Sequence, residues 1–574
     1  MTTHRQSKSL PPSAKRDLKS NNPADEVPQN LASLHRAEWF WHLLAAAVSA
    51  LLLALAFPPL GWWPLAWVAL VPLLLMPTPR SIVQRFATGY FFGYLFYAFS
   101  LQWLNEVGFG AGYLLALPCA LIPMLWYLLY STWCWHFKDK KTAVFPGGGM
   151  LFIQEEPVLF LTVVLVAVSW VAQEWILSFY GTGFPWNRLG VSLYRHPFLI
   201  SLAQFTGVTG ISFVIALVNA VIAAEASRLI RFCITPQKRG FPAHIFLGAA
   251  GIGILFLANL SRPQMPADTE ILRILVIQGD IPQCRDWSEE QFQEAMQVYD
   301  KLTREAVEET PDAALVVWPE SALPVELDNQ RYSVMRLKLL LDIGIPLLTG
   351  ALQYRLPSRD ASPDDVQVFN SAFLLNQDNR IVDYYDKIHT VPFGEYTPFG
   401  DIFPWLREMI GMGRDLTPGR RFRLISLPSG ARAGVNICFE DVFPEFSRTF
   451  TRDGANLLMT ITNDAWYNRS AGAEQHFSQM VFRAVENRRP FLRVGNNSHS
   501  CLVAPNGIVL GKLPFERTWQ AYDIPIGNWG MTFYTRHGEF FAHLCALLTA
   551  IAICALLWWN YQEHKRNLAV MEAK

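Results

Sequence analysis

Gly434-Val435-Asn436-Ile437-Cys438-Phe439-Glu440-Asp441 is the stretch on which the reading of this chain turns. An apolar, β-type run ends in a cysteine followed at once by an aromatic residue and two carboxylates, which sets the thiol at a strand end. Upstream, Val317-Trp318-Pro319-Glu320-Ser321 puts a carboxylate at the end of a second apolar run. Between them, Tyr385-Asp386-Lys387-Ile388-His389 puts a lysine at the end of a third. A thiol is mostly protonated at neutral pH and needs a base and a stabilising cation to act as a nucleophile. Glu320 is the candidate base, and Lys387 is the candidate cation for a thiolate and for the oxyanion that follows. The backbone N–H of Phe439 is a natural second oxyanion donor. Glu395, in Val391-Pro392-Phe393-Gly394-Glu395-Tyr396, is placed to orient Lys387 or to hold a second proton. Singly, each has a plain reading: a small buried hydrophobe, a helix cap, a solvated strand end. Their order on one domain joins them into a set.

The segments around the thiol alternate strand and helix. Residues 271–281 read as a buried strand, 289–309 as an amphipathic helix, 313–318 as a strand and 333–342 as a helix. Further strands are expected over 345–352, 368–375, 380–385, 434–438 and 456–461. Ala504-Pro505-Asn506-Gly507-Ile508 is a hairpin turn, with Asn-Gly supplying positive φ. This pattern predicts a layered α/β domain over 266–530. No repeat, phosphate-binding glycine loop or zinc spacing is present, and the twelve histidines show no paired ligand spacing. No metal or other cofactor is expected, and His389 and His476 read as local hydrogen-bonders. Of the cysteines, Cys284, Cys438 and Cys501 fall in this domain. The spacing does not establish a Cys284–Cys501 disulfide.

Composition places the rest elsewhere. Of 574 residues, 51% are hydrophobic and 17% charged, against about 25% charged in a soluble domain. The net charge is zero, which gives no argument for nucleic acid. A membrane span needs about 20 mostly apolar residues. Candidates fall near 41–57, 63–77, 86–104, 111–135, 157–179, 197–227, 243–260 and 540–560, the second being short enough to be tilted or re-entrant. Basic residues cluster in the N-terminal tail, at Arg80 and Arg85, at Lys138, Lys140 and Lys141, at Arg228, Arg231, Lys238 and Arg239, and at Lys565 and Arg566. Eight spans put all of these on one side, the cytoplasmic one, and the 266–530 domain on the other. The expected organisation is a flexible cytosolic tail over 1–40, a seven-span bundle over 41–262, the α/β domain, a last span over 540–560 and a cytosolic tail over 561–574.

Residues 271–530 resemble the nitrilase, or carbon–nitrogen hydrolase, superfamily. The whole chain beyond its first residues resembles the bacterial apolipoprotein N-acyltransferase family. The resemblance rests on Gln278-Gly279-Asp280-Ile281-Pro282, Trp318-Pro319-Glu320-Ser321, Lys387 with Pro392-Phe393-Gly394-Glu395, Cys438-Phe439-Glu440, Asn463-Asp464-Ala465-Trp466 and Thr182-Gly183-Phe184-Pro185-Trp186. It implies an αββα sandwich behind a polytopic helical bundle of about eight spans. It also implies a multi-pass protein of the bacterial inner membrane, with a periplasmic catalytic domain and both termini cytoplasmic. The implied reaction moves a fatty acyl chain from a phospholipid, typically phosphatidylethanolamine, to Cys438 as a thioester. The chain then passes to the α-amino group of the S-diacylglyceryl-cysteine at a lipoprotein N-terminus. A monomer is expected. Trp287, Glu440 and Trp466 match further positions that the family uses near its site. Soluble amidases of the superfamily continue the cysteine run with Arg-Phe-Pro, whereas here it is Asp441-Val442-Phe443-Pro444. That favours acyl transfer over a membrane-anchored amidase that hydrolyses its acyl-enzyme with water, or a scaffold with an inactive domain. Phe439 stands where relatives commonly carry tyrosine. Phe399–Ile410 is expected to dip toward lipid headgroups, since each acyl CH₂ withdrawn into water costs about 0.8 kcal/mol.

Overall fold

The computed structural model describes residues 23–137, 143–144, 150–151, 156–234, 242–282, 288–326, 330–358, 360–410 and 414–572. Its first half is a bundle of apolar helices: α1 (Pro23–Leu55), α2 (Ile82–Ser100), α3 (Ala111–Cys119) running into α4 (Leu121–His136), α5 (Glu156–Leu177), α6 (Val208–Ile234) and α7 (Ala243–Asn259). Among the described residues, five stretches are long and apolar enough to cross a membrane: Ala37–Leu55, Ala111–His136, Pro157–Leu177, Val208–Ile230 and Phe540–Glu572. Two expected spans are broken. Residues 63–77 form a short 3-10 turn, Trp63–Trp67, and a five-residue helix, Val71–Leu75, each with a proline in its first turn. Residues 197–227 split into Pro197–Ile200, Ala203–Thr206 and α6, the chain turning at Gly207.

The expected tails also differ. Helix α1 begins at Pro23, and the last helix continues to Glu572, so apolar and polar parts share one continuous helix at each end. Arg85 is not a loop cation: it is buried, donates to the Pro79 carbonyl at 2.8 Å and lies over the Trp135 ring.

The second half is the layered domain. One sheet runs β13-β1-β2-β4-β5-β6, where β1 is Glu270–Gln278, β2 Leu315–Val317, β4 Leu347–Arg355, β5 Gln367–Leu375, β6 Ile381–Asp386 and β13 Thr518–Ile526. The short β3 (Leu323–Glu326) pairs alongside β4. The other sheet runs β12-β11-β10-β9-β8-β7: β7 Ile425–Ser426, β8 Arg432–Ile437, β9 Leu457–Thr462, β10 Phe491–Gly495, β11 Cys501–Val503 and β12 Val509–Leu510. Strands β8, β9 and β10 are parallel, with Ala433 opposite Leu457 and Leu458 opposite Phe491. All six residues of β9 are buried, as a central parallel strand covered on both faces requires.

Alternation along β1 sorts the layers. Ile274 and Val276 join the core shared with Val435, Ile437 and Leu458 of the second sheet. Leu275 and Ile277 face the other way, onto Phe292 and Met296 of α8 (Glu289–Glu309) and Leu339 and Leu340 of α9 (Gln330–Ile343). Against the second sheet lie Phe450 of α10 (Pro444–Arg452) and Phe477 and Met480 of α11 (Ala471–Asn487). The result is the expected helix–sheet–sheet–helix sandwich. Helix α8 starts on a capping box in which Ser288 and Gln291 satisfy each other's backbone N–H groups. A final helix, α12 (Phe540–Glu572), returns to the bundle and packs on α5.

Candidate active site

Three strand ends converge. Cys438 leaves β8 with φ of 53°, a left-handed conformation that non-glycine residues rarely adopt, and opens the 3-10 turn Cys438–Val442. The backbone reverses there and sets the thiol beyond the strand end. Glu320 follows β2 and is itself followed by Ser321 at φ of 50°. Its backbone passes so close to β4 that a Cβ on Gly350 would meet the Glu320 Cα at 2.6 Å, so only glycine fits there. Lys387 leaves β6, and its backbone N–H is held by the Asn370 carbonyl at 2.9 Å.

The Lys387 ammonium is 1% exposed and sits between two carboxylates, 2.8 Å from Glu395 Oε1 and 3.3 Å from Glu320 Oε1. Burial opposes its charge, but Glu395 and then Glu320 overcome that and hold Lys387 above the ordinary lysine range. Asn370 Nδ2 bridges the same two oxygens, at 2.8 Å to Glu320 and 3.0 Å to Glu395. The backbone N–H of Asn463 donates to Glu320 Oε2 at 2.9 Å, and that of Val391 to Glu395 Oε2 at 2.8 Å. Burial and the Glu320 charge push the Cys438 thiol well above its usual range, while Lys387 pulls the other way. Burial and Glu320 both favour the neutral thiol at Cys438.

Glu440 is fully buried. Its Oε1 accepts from the Tyr385 hydroxyl and the Ile388 and His389 backbone, at 3.0, 2.7 and 3.1 Å, and its Oε2 accepts from Ile437 N–H at 2.8 Å. It thus ties the segment carrying Lys387 to the elbow carrying Cys438. Burial pushes its carboxyl up to about 7.

Beneath the elbow lies a network that sequence reasoning did not assemble. His476 on α11 donates from Nε2 to Asp441 and from Nδ1 to Asp464, each at 2.9 Å. Arg493 on β10 reaches Asp441 at 3.0 Å and Asp464 at 2.7 Å. All four side chains are fully buried, two acids against two bases. Burial alone would keep His476 neutral, but Asp441 and Asp464 raise it to about 9. Cys438, Asp464 and His476 bring potential metal-ligand atoms within 4.8 Å of one another. A protonated imidazole beside a guanidinium is nonetheless a poor cation site. Asp441 occupies the run where soluble amidases carry arginine, and the arginine it pairs with comes from another strand. Buried polar residues inside apolar strands, Asn370 in β5 and Arg493 in β10, were the available signals, because buried polar groups demand partners.

Helix α11 also joins the domain to the bundle. Gln475 Oε1 accepts from Trp103 Nε1, Trp186 Nε1 and Asn187 Nδ2 at 3.0, 2.7 and 3.2 Å, while its Nε2 donates to the Pro58 and Ser100 carbonyls at 2.9 and 3.0 Å. Glu474 accepts from Tyr194 at 2.5 Å and pairs with Arg195 and Lys512. A Cβ on Gly472 would meet the Trp103 ring at 2.7 Å, so the helix can approach this closely only with glycine there. Phe439 stacks on Phe184 and Trp186 of the bundle, with centroids 6.4 and 6.0 Å apart. Trp466 lies in the short turn Asp464–Tyr467 and is 39% exposed. Trp287 and Cys284 lie outside the described residues; Cys501 is a buried free thiol.

A bundle of apolar helices docked on an αββα sandwich, with Glu, Lys and Cys at converging strand ends, defines a membrane-associated member of the carbon–nitrogen hydrolase class. The matching family models are "Apolipoprotein N-acyltransferase N-terminal domain" over residues 49–221 and "Carbon-nitrogen hydrolase" over 276–531. Curated relatives named apolipoprotein N-acyltransferase include one from Geobacter metallireducens, 33% identical over 91% of this chain and 96% of its own length. Another, from Gloeobacter violaceus, is 30% identical over 89% and 94%, and one from Brucella suis is 28% identical over 76% and 79%. The chain belongs to the apolipoprotein N-acyltransferase family.

Proposed function

We propose that Glu320, Lys387 and Cys438 are the catalytic groups of a phospholipid:apolipoprotein N-acyltransferase. The observation that carries this reading is one buried lysine held between two carboxylates beside a thiol, on a domain locked to a membrane bundle through Gln475. Glu320 removes the thiol proton as sulfur attacks the ester carbonyl of a phospholipid, phosphatidylethanolamine being the expected donor. Lys387 and the Phe439 N–H stabilise the oxyanion. The tetrahedral adduct collapses to the Cys438 thioester, and Glu320 returns the proton to the departing lysophospholipid alkoxide. The free α-amine of a diacylglyceryl-cysteine then attacks the thioester, Glu320 takes its proton and passes it to the departing Cys438 sulfur, and the N-acyl bond replaces the C–S bond. Glu395 supports this by orienting Lys387, and Glu440 by fixing the elbow.

The surrounding surface fits lipid substrates. Phe399, Ile402, Phe403, Trp405 and Met409 are all exposed, which is hard to reconcile with a packed surface helix and suits contact with the headgroup region. Phe393 and Phe399 have φ of 62° and 61°, an additional mark of a functional loop. Phe439 in place of tyrosine gives up a hydroxyl but keeps its ring in the stack with Trp186. We assign Trp466 and Trp287 to substrate contacts on the resemblance alone. The charge pattern supports about eight spans in a bacterial inner membrane, with a periplasmic catalytic domain and cytoplasmic termini; a monomer is the working unit carried over from the sequence reading.

Intact-mass measurement after exposure to phospholipid tests the reading. One acyl adduct on Cys438 is expected, discharged by a diacylated lipopeptide and absent in Cys438→Ser. Discharge by water at the same rate without the peptide would instead mark an amidase.

A further inference from the structure

Strand β9 ends in Thr462, whose side chain is fully buried. The strand runs parallel to β8 with Ile461 opposite Ile437, so Thr462 and Cys438 stand side by side one step beyond the last pair. The Thr462 hydroxyl reaches the Cys438 sulfur and donates to Asp464 Oδ1 at 3.1 Å. The next residue, Asn463, holds Glu320 through its backbone N–H at 2.9 Å. One strand end therefore touches the nucleophile and anchors its base in consecutive positions.

A count of donors shows what the sulfur lacks. An ammonium carries three N–H bonds. Lys387 gives one to Glu395 at 2.8 Å and one to Glu320 at 3.3 Å. A single N–H remains, and the oxyanion takes it together with the Phe439 N–H. Negative charge nonetheless passes through the sulfur twice: when the thiol loses its proton, and when the acceptor amine expels it from the second tetrahedral adduct. Burial, then Glu320 and Asp464, oppose that charge, while Lys387 and the Thr462 hydroxyl favour it. A ring nitrogen of His476 lies within 4.8 Å of the sulfur, but both of its N–H groups are spent on Asp441 and Asp464.

The Thr462 hydroxyl is free to turn. It has one O–H to give and lone pairs to accept with. Beside a neutral thiol the O–H lies on Asp464, and the S–H can point at Oγ1. Beside a charged sulfur the O–H swings across to it. Asp464 is not orphaned by the change: His476 Nδ1 stays on the same oxygen at 2.9 Å, and Arg493 and Ser498 stay on Oδ2. The switch leaves no buried group without a partner, which keeps its cost low.

We propose that Thr462 is a further catalytic residue, whose hydroxyl rotates from Asp464 to the Cys438 sulfur and donates to the thiolate as it forms and as it departs. The assignment rests on the acyl-transfer reading above. No bond to Thr462 is made or broken, and the thiol proton still goes to Glu320 and returns from it.

The test uses the full-length protein in detergent. Thr462→Val keeps the branched shape without the hydroxyl, and Thr462→Ser keeps the hydroxyl without the methyl. Two rates are read: alkylation of Cys438 by iodoacetamide at one fixed pH near neutrality, and transfer from preformed acyl-enzyme to a diacylated lipopeptide. Alkylation is followed by peptide mass mapping, since Cys233 and Cys554 are also exposed. Losing a hydrogen bond to a charged group lowers the thiolate population by about 10–100-fold. The greater nucleophilicity of the more basic thiolate returns about half of that on a logarithmic scale. Thr462→Val should therefore alkylate about 3–10 times more slowly and transfer about tenfold more slowly or worse. Thr462→Ser should stay within about threefold of wild type on both, the hydroxyl being retained. Wild-type rates in Thr462→Val overturn the proposal, as does an equal loss in Thr462→Ser, which would trace the defect to the methyl. If Thr462→Val does not fold, Thr462→Ala gives the reading; failure of both to fold assigns the hydroxyl to the scaffold and overturns the proposal too. Absence of a wild-type thioester from every phospholipid would refute the acyl-transfer reading instead, and the alkylation series would still decide the role of Thr462.

Discussion

Lys387→Met keeps the length of the side chain and removes the one cation between Glu320 and Glu395. Those carboxylates then share only Asn370 Nδ2 at 2.8 and 3.0 Å, and one must take up a proton because two like charges cannot both stay ionised there. Breaking a buried ion pair by removing one partner costs about 3–5 kcal/mol. At about 2–4 °C per kcal/mol for a domain of this size, the unfolding midpoint should drop by roughly 6–20 °C. Thioester formation should fall by at least about 10²–10³-fold, the range for losing one preorganised oxyanion group. The double variant Lys387→Met/Glu395→Gln separates the two effects. Its new amide can donate to Glu320, so one buried carboxylate remains with partners, and about 1–3 kcal/mol of stability should return as coupling energy. Activity should not return, since no cation faces the sulfur. Midpoints measured by dye-monitored unfolding in detergent, alongside intact-mass kinetics, complete the cycle. A double variant no more stable than Lys387→Met, or a single variant that still forms thioester at the wild-type rate, refutes the ion-cluster account.

Gln475→Leu strands three donors and two carbonyls between the domain and the bundle, so it should lower the unfolding midpoint by several degrees at about 1–3 kcal/mol per orphaned group, partly relieved by relaxation; an unchanged midpoint would disprove the hub. The raised pKa of His476 means its ion pairs contribute fully below about 6.5 and lose their contribution as pH rises through about 9, a swing of about 3 kcal/mol. His476→Gln should flatten the stability–pH profile in that window, and a slope identical to wild type would contradict the assignment. Phe403→Ser with Trp405→Ser should slow thioester formation from vesicle-borne phospholipid while leaving the unfolding midpoint within about 0.5 kcal/mol of wild type, as exposed sites allow. Unchanged kinetics would remove the loop from the lipid path.

The sandwich and its site were legible because their signals are local. A strand's alternation and the residue at its end can be read within ten positions, and Glu320, Lys387 and Cys438 each terminate such a run. What was illegible depends on pairing across hundreds of residues. Asn370 reads as one polar interruption in Gln367–Leu375 until Glu320 and Glu395 are placed beside it. Asp441 reads as a departure from a motif until Arg493 arrives from a strand fifty-two positions later. Hydropathy marked the apolar stretches but not their breaks at Trp63–Trp67 and Gly207, because composition fixes how apolar a segment is and not whether its backbone stays helical.

Gln475 and His476 are adjacent on one helix, and each serves a different half of the molecule. The first holds Pro58, Ser100, Trp103, Trp186 and Asn187 of the bundle; the second holds Asp441 of the elbow and Asp464 behind the thiol. A shift of α11 that loosens the bundle therefore also moves the imidazolium beneath Cys438. Phe439 adds a second tie, stacking on Trp186 from the residue next to Cys438. Packed interfaces of this kind are not continuously deformable, so the geometry of the thiol is set in part by side chains of the membrane domain. A catalytic domain cut free at residue 266 would keep Glu320, Lys387 and Cys438 in sequence yet lose the stack of Phe439 on Phe184 and Trp186 and the Gln475 bonds that hold α11 against the bundle. The bundle on this account is part of the active-site scaffold as well as an anchor.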